Sequence, residues 1–201
     1  MHDVLEKMKR ISLVVFSLIL LSASFALAGA LSTRSSSTST LDRKLAHIQQ
    51  NGALEHPDST PTEFSEKEIN DYMAGGEVKL PAGVQSVRFQ GEPDVVTGTA
   101  RVDFDQLKAG QRSSNPLLSV FSGVHNVVVV AHARGINHQG YVQVDSVSLD
   151  DVQIPRFALE LFAQKYLTPK YPNVGMNSRF GLPNKIDTAT VGAHKLTVTQ
   201  K

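Results

Sequence analysis

The sequence predicts an α+β domain: a short capped helix, long antiparallel strands, a second helix and a closing hairpin. Three observations predict it. Ser65-Glu66-Lys67-Glu68 has the form of a capping box at the start of an amphipathic helix. Val95 to Phe104 alternates apolar and polar residues with period two. Pro155 stands at the first turn of an apolar run, where a proline is tolerated, and predicts a helix to about Leu167.

The chain opens on an export signal. Lys7, Lys9 and Arg10 precede the apolar run Ile11 to Leu21, and Ala26-Leu27-Ala28 supplies a small-x-small site. Those are the three parts that a signal peptidase reads. Residues 1–30 are therefore expected to be removed, with the cut after Ala28 or Ala30, leaving a periplasmic or secreted protein. The alternative is a retained anchor, since about 20 apolar residues span a bilayer; Ser22, Ser24 and Gly29 weaken it. Residues 31–62 are expected to form a flexible Ser/Thr/Pro-containing tether. Within it Leu41, Leu45 and Ile48 suggest a short helix that either docks or stays mobile. Residues 63–201 are expected to be one domain.

Within that domain Ser65 is the expected N-cap, Phe64 and Ile69 a hydrophobic staple across it, and Gly75-Gly76 the stop. Val84 to Gln90 is a strand. In the next strand Val96, Gly98, Ala100, Val102 and Phe104 form the dry face. Pro116 to Phe121 is a helical turn. Val124 to Arg134 is a long strand with Val127, Val129, Ala131 and Ala133 on its drier side, and Tyr141 to Leu149 returns with an ambiguous inner face. The helix from Pro155 is expected to present Phe157, Ala158, Leu161, Phe162 and Lys165 together. Ile186 to Val191 and His194 to Gln200 form the last hairpin.

Composition excludes several functions. No cysteine occurs, so thiol chemistry, disulfides and a cysteine-borne lipid anchor are absent. Removing the three bases and two acids of residues 1–30 from the chain's 20 and 19 leaves 17 of each. A neutral chain of this kind argues against a nucleic-acid partner. Nucleophile elbows and phosphate-binding glycine loops are missing from the sequence. Asp103-Phe104-Asp105 has the spacing of a metal motif, but polar-out alternation at a strand end gives the same letters. His132 and His138 flank a turn and read as exposed strand-end residues. Neither a metal nor a cofactor is expected, and no catalytic residue is assigned.

The order of elements resembles small bacterial envelope proteins of the tubular lipid-binding superfamily. The segments that carry the resemblance are Phe64 to Tyr72, Val96 to Asp103, Ile154-Pro155 with its helix, and Gly181 to Ile186 leading into the hairpin. It covers roughly residues 63–200. The resemblance implies a strongly twisted antiparallel sheet wrapped around a long C-terminal helix, with an apolar channel for an acyl or isoprenoid chain and no enzymatic activity. The residues it would place in the channel are Val96, Ala100, Val102, Phe104, Val127, Val129, Ala131, Phe157, Leu161 and Phe162. The implied partner is a lipid or other long apolar ligand, with transient membrane contact. A chain of about 14 methylenes gains roughly 11 kcal/mol on leaving water, at about 0.8 each. A bilayer offers much the same, so such a protein would ease transfer rather than hold its lipid tightly. The alternative is a structural or interaction protein with the same fold and a filled core. What separates the two is whether the space under helix 155–167 is open or packed.

Overall fold

The computed structural model describes residues 40–76, 78–108, 115–169 and 171–201. The expected signal segment 1–30 and residues 31–39 of the expected tether lie outside them. The fold is α+β with a nine-stranded antiparallel sheet. In chain order the elements are α1 (Thr40–Ala53), β1 (Thr62–Ser65), α2 (Glu66–Ala74), β2 (Val84–Glu92), β3 (Val95–Asp103) and α3 (Phe104–Leu107). There follow a 3-10 turn (Pro116–Leu118), β4 (Val124–Ile136), β5 (Gln139–Leu149), β6 (Val152–Gln153) and α4 (Arg156–Phe162). A π-helical turn (Ala163–Leu167), β7 (Asn177–Gly181), β8 (Ile186–Gly192) and β9 (Lys195–Gln200) complete the chain.

β4 is the spine of the sheet. Its first nine residues pair with β3, its end at Arg134 and Gly135 pairs with β8, and its other edge carries β5. β5 continues to β7, and β8 continues through β9 to β1. The tight turns use residues that tolerate a left-handed backbone. Asn137 and His138 have φ of 52° and 59°, and Asp150 and Asp151 have 45° and 67°. Gly140 is required for a different reason. A Cβ there would clash with the ring of Phe180, its partner on β7.

One face of the sheet is dry, and two separate cores lie on it. Val127, Ala131 and Ala133 of β4 are buried with Val129 half-buried, as the alternation predicts. Val127 joins a core under α4, Ala131 and Ala133 join one under α1 and α2, and Val129 touches both. β5 reaches both cores by changing parity. Val144 pairs with Ala131 and Ser146 with Val130, so Asp145 is the extra residue of a bulge. Val142 and Val144 point inward before it and Leu149 after it. That bulge is why a period-two reading of Tyr141 to Leu149 leaves its inner face ambiguous.

One expectation is corrected. The long C-terminal helix is absent: α4 has seven α-helical residues and ends in a π turn, closed by Thr168 N–H donating to the Ala163 carbonyl at 2.8 Å. Pro169 and Pro172 stop it, and the sheet lies across two helical lids rather than around one helix. α1, the short helix expected within residues 31–62, docks on the domain. Leu41 and Ile48 are 4% exposed, and the buried amides of Asn51 and Gln200 bond each other at 2.8 Å. The same two side chains reach the carbonyls of Asp58 and Ile48. A short apolar stripe suffices here because this amide network satisfies the helix's buried end. Thr62–Ser65 is a strand. It pairs with β9 and its last residue is the α2 N-cap, where the predicted capping box is present. The Glu68 carboxylate, drawn below its usual range by Lys44 and Ser65 against the cost of burial, also joins α2 to Lys44 of α1 at 2.8 Å.

Candidate functional site

The ten residues expected to line a channel do not form one group. Val102, Phe104, Val127 and Phe162 are buried together under α4, with Ala100, Val129 and Leu161 packed partly against them. Val96 and Ala131 belong to the core under α1 and α2. Phe157 is 53% exposed. The helix therefore turns a different stripe to the sheet: Ala158, Leu159, Phe162 and Tyr166. Apolar residues at 157 and 161 offered a second, overlapping stripe, and periodicity alone cannot choose between the two.

Side chains from the 3-10 turn and the residues after it enter the space between α4 and the sheet. Leu118 and Phe121 are buried, Phe121 to 2% exposure. The Phe121 ring centroid lies 4.3 Å from that of Phe162 and 5.6 Å from that of Phe104. Phe104 meets Phe162 edge-on at 5.6 Å, and Phe162 meets Tyr166 at 5.1 Å. Four rings in offset and edge contact make a cohesive cluster. Phe121 and Leu118 were missed as core residues, though the sequence carried a signal. They stand three apart in a tight turn, where i and i+3 side chains share a face.

The surroundings of this cluster are polar. Asp103 caps α3, accepting from the N–H groups of Asp105 and Gln106 at 3.0 and 3.1 Å. Asp105 accepts from Gly123 N–H at 3.1 Å. The Asp-x-Asp spacing is thus used for capping, and no group of three His, Asp or Glu side chains able to hold a metal occurs among the described residues. His125, whose ring lies 6.1 Å from that of Phe104, has Nδ1 2.6 Å from Asp150 and Nε2 2.7 Å from the Ser122 carbonyl. Both partners are acceptors, so the doubly protonated ring satisfies both. The Asp150 hydrogen bond, then the Ser122 carbonyl, raise the His125 pKa. In that doubly protonated form the ring has no lone pair to offer as a base. His132 bonds Asp145 at 2.7 Å, while His138 reaches the Ile186 carbonyl at 3.0 Å, so the two histidines flanking the turn have separate partners.

Comparison with family models, curated proteins and solved structures finds no match to the chain. The residues themselves must carry the functional argument. Beside the aromatic cluster, a cleft of about 290 Å³ opens between the start of α4 and β5, lined by Ile154, Pro155, Leu159 and Met176 but also by Asp145 and Arg156. The segments that build this core also expose Leu117, Val120, Val124, Val152 and Phe157. The region thus combines apolar side chains inside, several more at the surface, and Asp103, Asp105 and Asp150 engaged in caps and turns.

Proposed function

We propose that this chain is a non-catalytic envelope protein that works by surface recognition, with a filled interior. One observation carries the reading: Phe121 occupies the space under α4 that a lipid channel would need, in ring contact with Phe104 and Phe162. Protein interiors are packed to near crystal density, and an aromatic cluster of this kind leaves an acyl chain no volume without displacing a ring. Titration with a fluorescent fatty acid tests it. No saturable uptake is expected. Ala158→Phe, at a position 5% exposed in the core under α4, should cost about 1–3 kcal/mol through overpacking. Saturable uptake that Ala158→Phe abolishes without loss of stability would refute the filled interior.

A second reading is a lipid-shuttling protein of the tubular lipid-binding type. The exposed side chains of Phe157, Val152, Leu117, Val120 and Val124, all on segments that build the α4 core, favour it. Exposed apolar groups gathered around one core mark a surface that meets a membrane or another apolar partner. In this reading acyl chains would enter at the cleft beside Leu159 and Met176. Co-sedimentation with phospholipid vesicles, lost in Phe157→Ser, is its expected signature.

A further inference from the structure

The wet face of the sheet carries a built polar cleft of about 520 Å³ on β4, β5 and β7. Strand register creates it. Arg134 stands opposite Tyr141, and Tyr141 opposite Arg179. The two guanidinium carbons lie 5.9 and 5.4 Å from the Tyr141 ring centroid. Contacts of this length hold a cation by the ring's π face. The next outward row is His132, Gln143 and Asn177. His132 is held by Asp145, and Arg179 Nε donates to Gln139 at 3.4 Å. Among the described residues neither guanidinium has a carboxylate partner.

Asp94, from the turn between β2 and β3, adds a further part of the wall. Its backbone is fixed on both sides: its N–H donates to the Val191 carbonyl, and its carbonyl accepts from Ala133 N–H, each at 3.0 Å. The cleft thus sets two guanidiniums without a carboxylate partner, on strands two spacings and so about 10 Å apart, beside the Asp94 carboxylate. Guanidiniums recognise a carboxylate or phosphate by paired N–H bonds. A carboxylate repels a bare anion but accepts hydrogen bonds from hydroxyls, and the amides of Gln143 and Asn177 both donate and accept. A ligand that satisfies all of these carries at least one anionic group and several hydroxyls. The volume is that of a small-molecule site.

We propose that this cleft binds an acidic saccharide, its carboxylates or phosphate on Arg134 and Arg179, which flank Tyr141, and its hydroxyls on Asp94, Gln143 and Asn177. The proposal names what is recognised and so rests on the recognition reading, but it concerns the face opposite the two cores. Isothermal titration of the purified protein with digalacturonic acid, glucose 6-phosphate, maltose and inorganic phosphate tests it. One or both acidic sugars should bind saturably, and which one does distinguishes carboxylate from phosphate. Maltose and inorganic phosphate should bind at least about tenfold more weakly. Arg134→Gln and Arg179→Gln should each weaken the acidic sugar about tenfold or more, the loss of one charge-assisted bond. Asn177→Asp, which keeps both arginines and adds a like charge, should weaken it too with an unchanged melting temperature. Failure of both acidic sugars to bind, equal binding of maltose or inorganic phosphate, or variants that bind like the parent protein would overturn the site. Such a failure in a protein that also takes up no fatty acid leaves the filled interior standing. Cleavage of digalacturonic acid during titration supports the cleft as a saccharide site and overturns the non-catalytic reading.

Discussion

Removing the Phe121 ring is the sharpest perturbation of the interior. Phe121 is 2% exposed and contacts two other rings, so Phe121→Ala deletes a fully buried aromatic and leaves a cavity bounded by Phe104, Leu118 and Phe162. Buried Phe→Ala changes cost about 3–5 kcal/mol, a range that includes the lost ring contacts. For a domain of this size each kcal/mol lowers Tm by about 2–4 °C, so the loss should be roughly 6–20 °C. Urea denaturation followed by circular dichroism gives the free energy directly. An apolar cavity of this kind stays dry and takes up small apolar molecules. Benzene should therefore raise the Tm of the variant and leave that of the parent protein unchanged. A loss below about 1 kcal/mol, with fatty-acid uptake gained, would mean that the ring is a movable gate and that the filled-interior argument fails.

Further predictions concern the lids, the sheet edge and pH. Ile48→Ala should cost about 2–4 kcal/mol in urea denaturation, because α1 is part of a core; a loss below about 0.5 kcal/mol would detach that helix from the domain. Asn70 closes the exposed edge of β2, its amide donating to the Phe89 carbonyl at 2.8 Å and accepting from Phe89 N–H at 2.7 Å. Asn70→Ala should destabilise by about 1–3 kcal/mol and raise self-association in analytical ultracentrifugation, since it bares a strand edge. His125 has a raised pKa, so its contribution to stability is complete below its unfolded value of about 6.5 and is lost as pH rises through the folded value. Asp150 is lowered by the His125 hydrogen bond first, so its share is present above its unfolded value of about 3.9 and is lost as pH falls through the folded one. The pair therefore stabilises most between about pH 4 and 6.5. In an NMR titration the His125 pKa should fall in Asp150→Asn; an unmoved value would show that the pair does not control it.

Much of the fold was legible because local signals and burial agreed. The capping box at Ser65 and Glu68, the dry face from Val96 to Val102 and the face from Val127 to Ala133 all stand where alternation and capping chemistry put them. What stayed hidden depends on partners distant in the chain. β7 has the sequence Asn-Ser-Arg-Phe-Gly, with a single large apolar residue, and is a strand only because β5 pairs with it. The docking of α1 depends on Gln200, 149 residues from Asn51. The direction of α4 was undecidable from its own residues because Phe157 and Leu161 compete with Ala158 and Phe162 for the inner face. The polar cleft was hidden for a related reason. Arg134, Tyr141 and Arg179 each read as the outward residue of a strand, and only register brings them into one row.

The central claim is that the interior beneath α4 is full. Native mass spectrometry of the protein purified without detergent tests it most directly, because a retained lipid adds its own mass. The account predicts a single species at the mass of the polypeptide alone, before and after incubation with phospholipid vesicles. A species heavier by the mass of one phospholipid or fatty acid, lost on organic extraction and regained from vesicles, would contradict it and make the lipid-shuttling reading the better one.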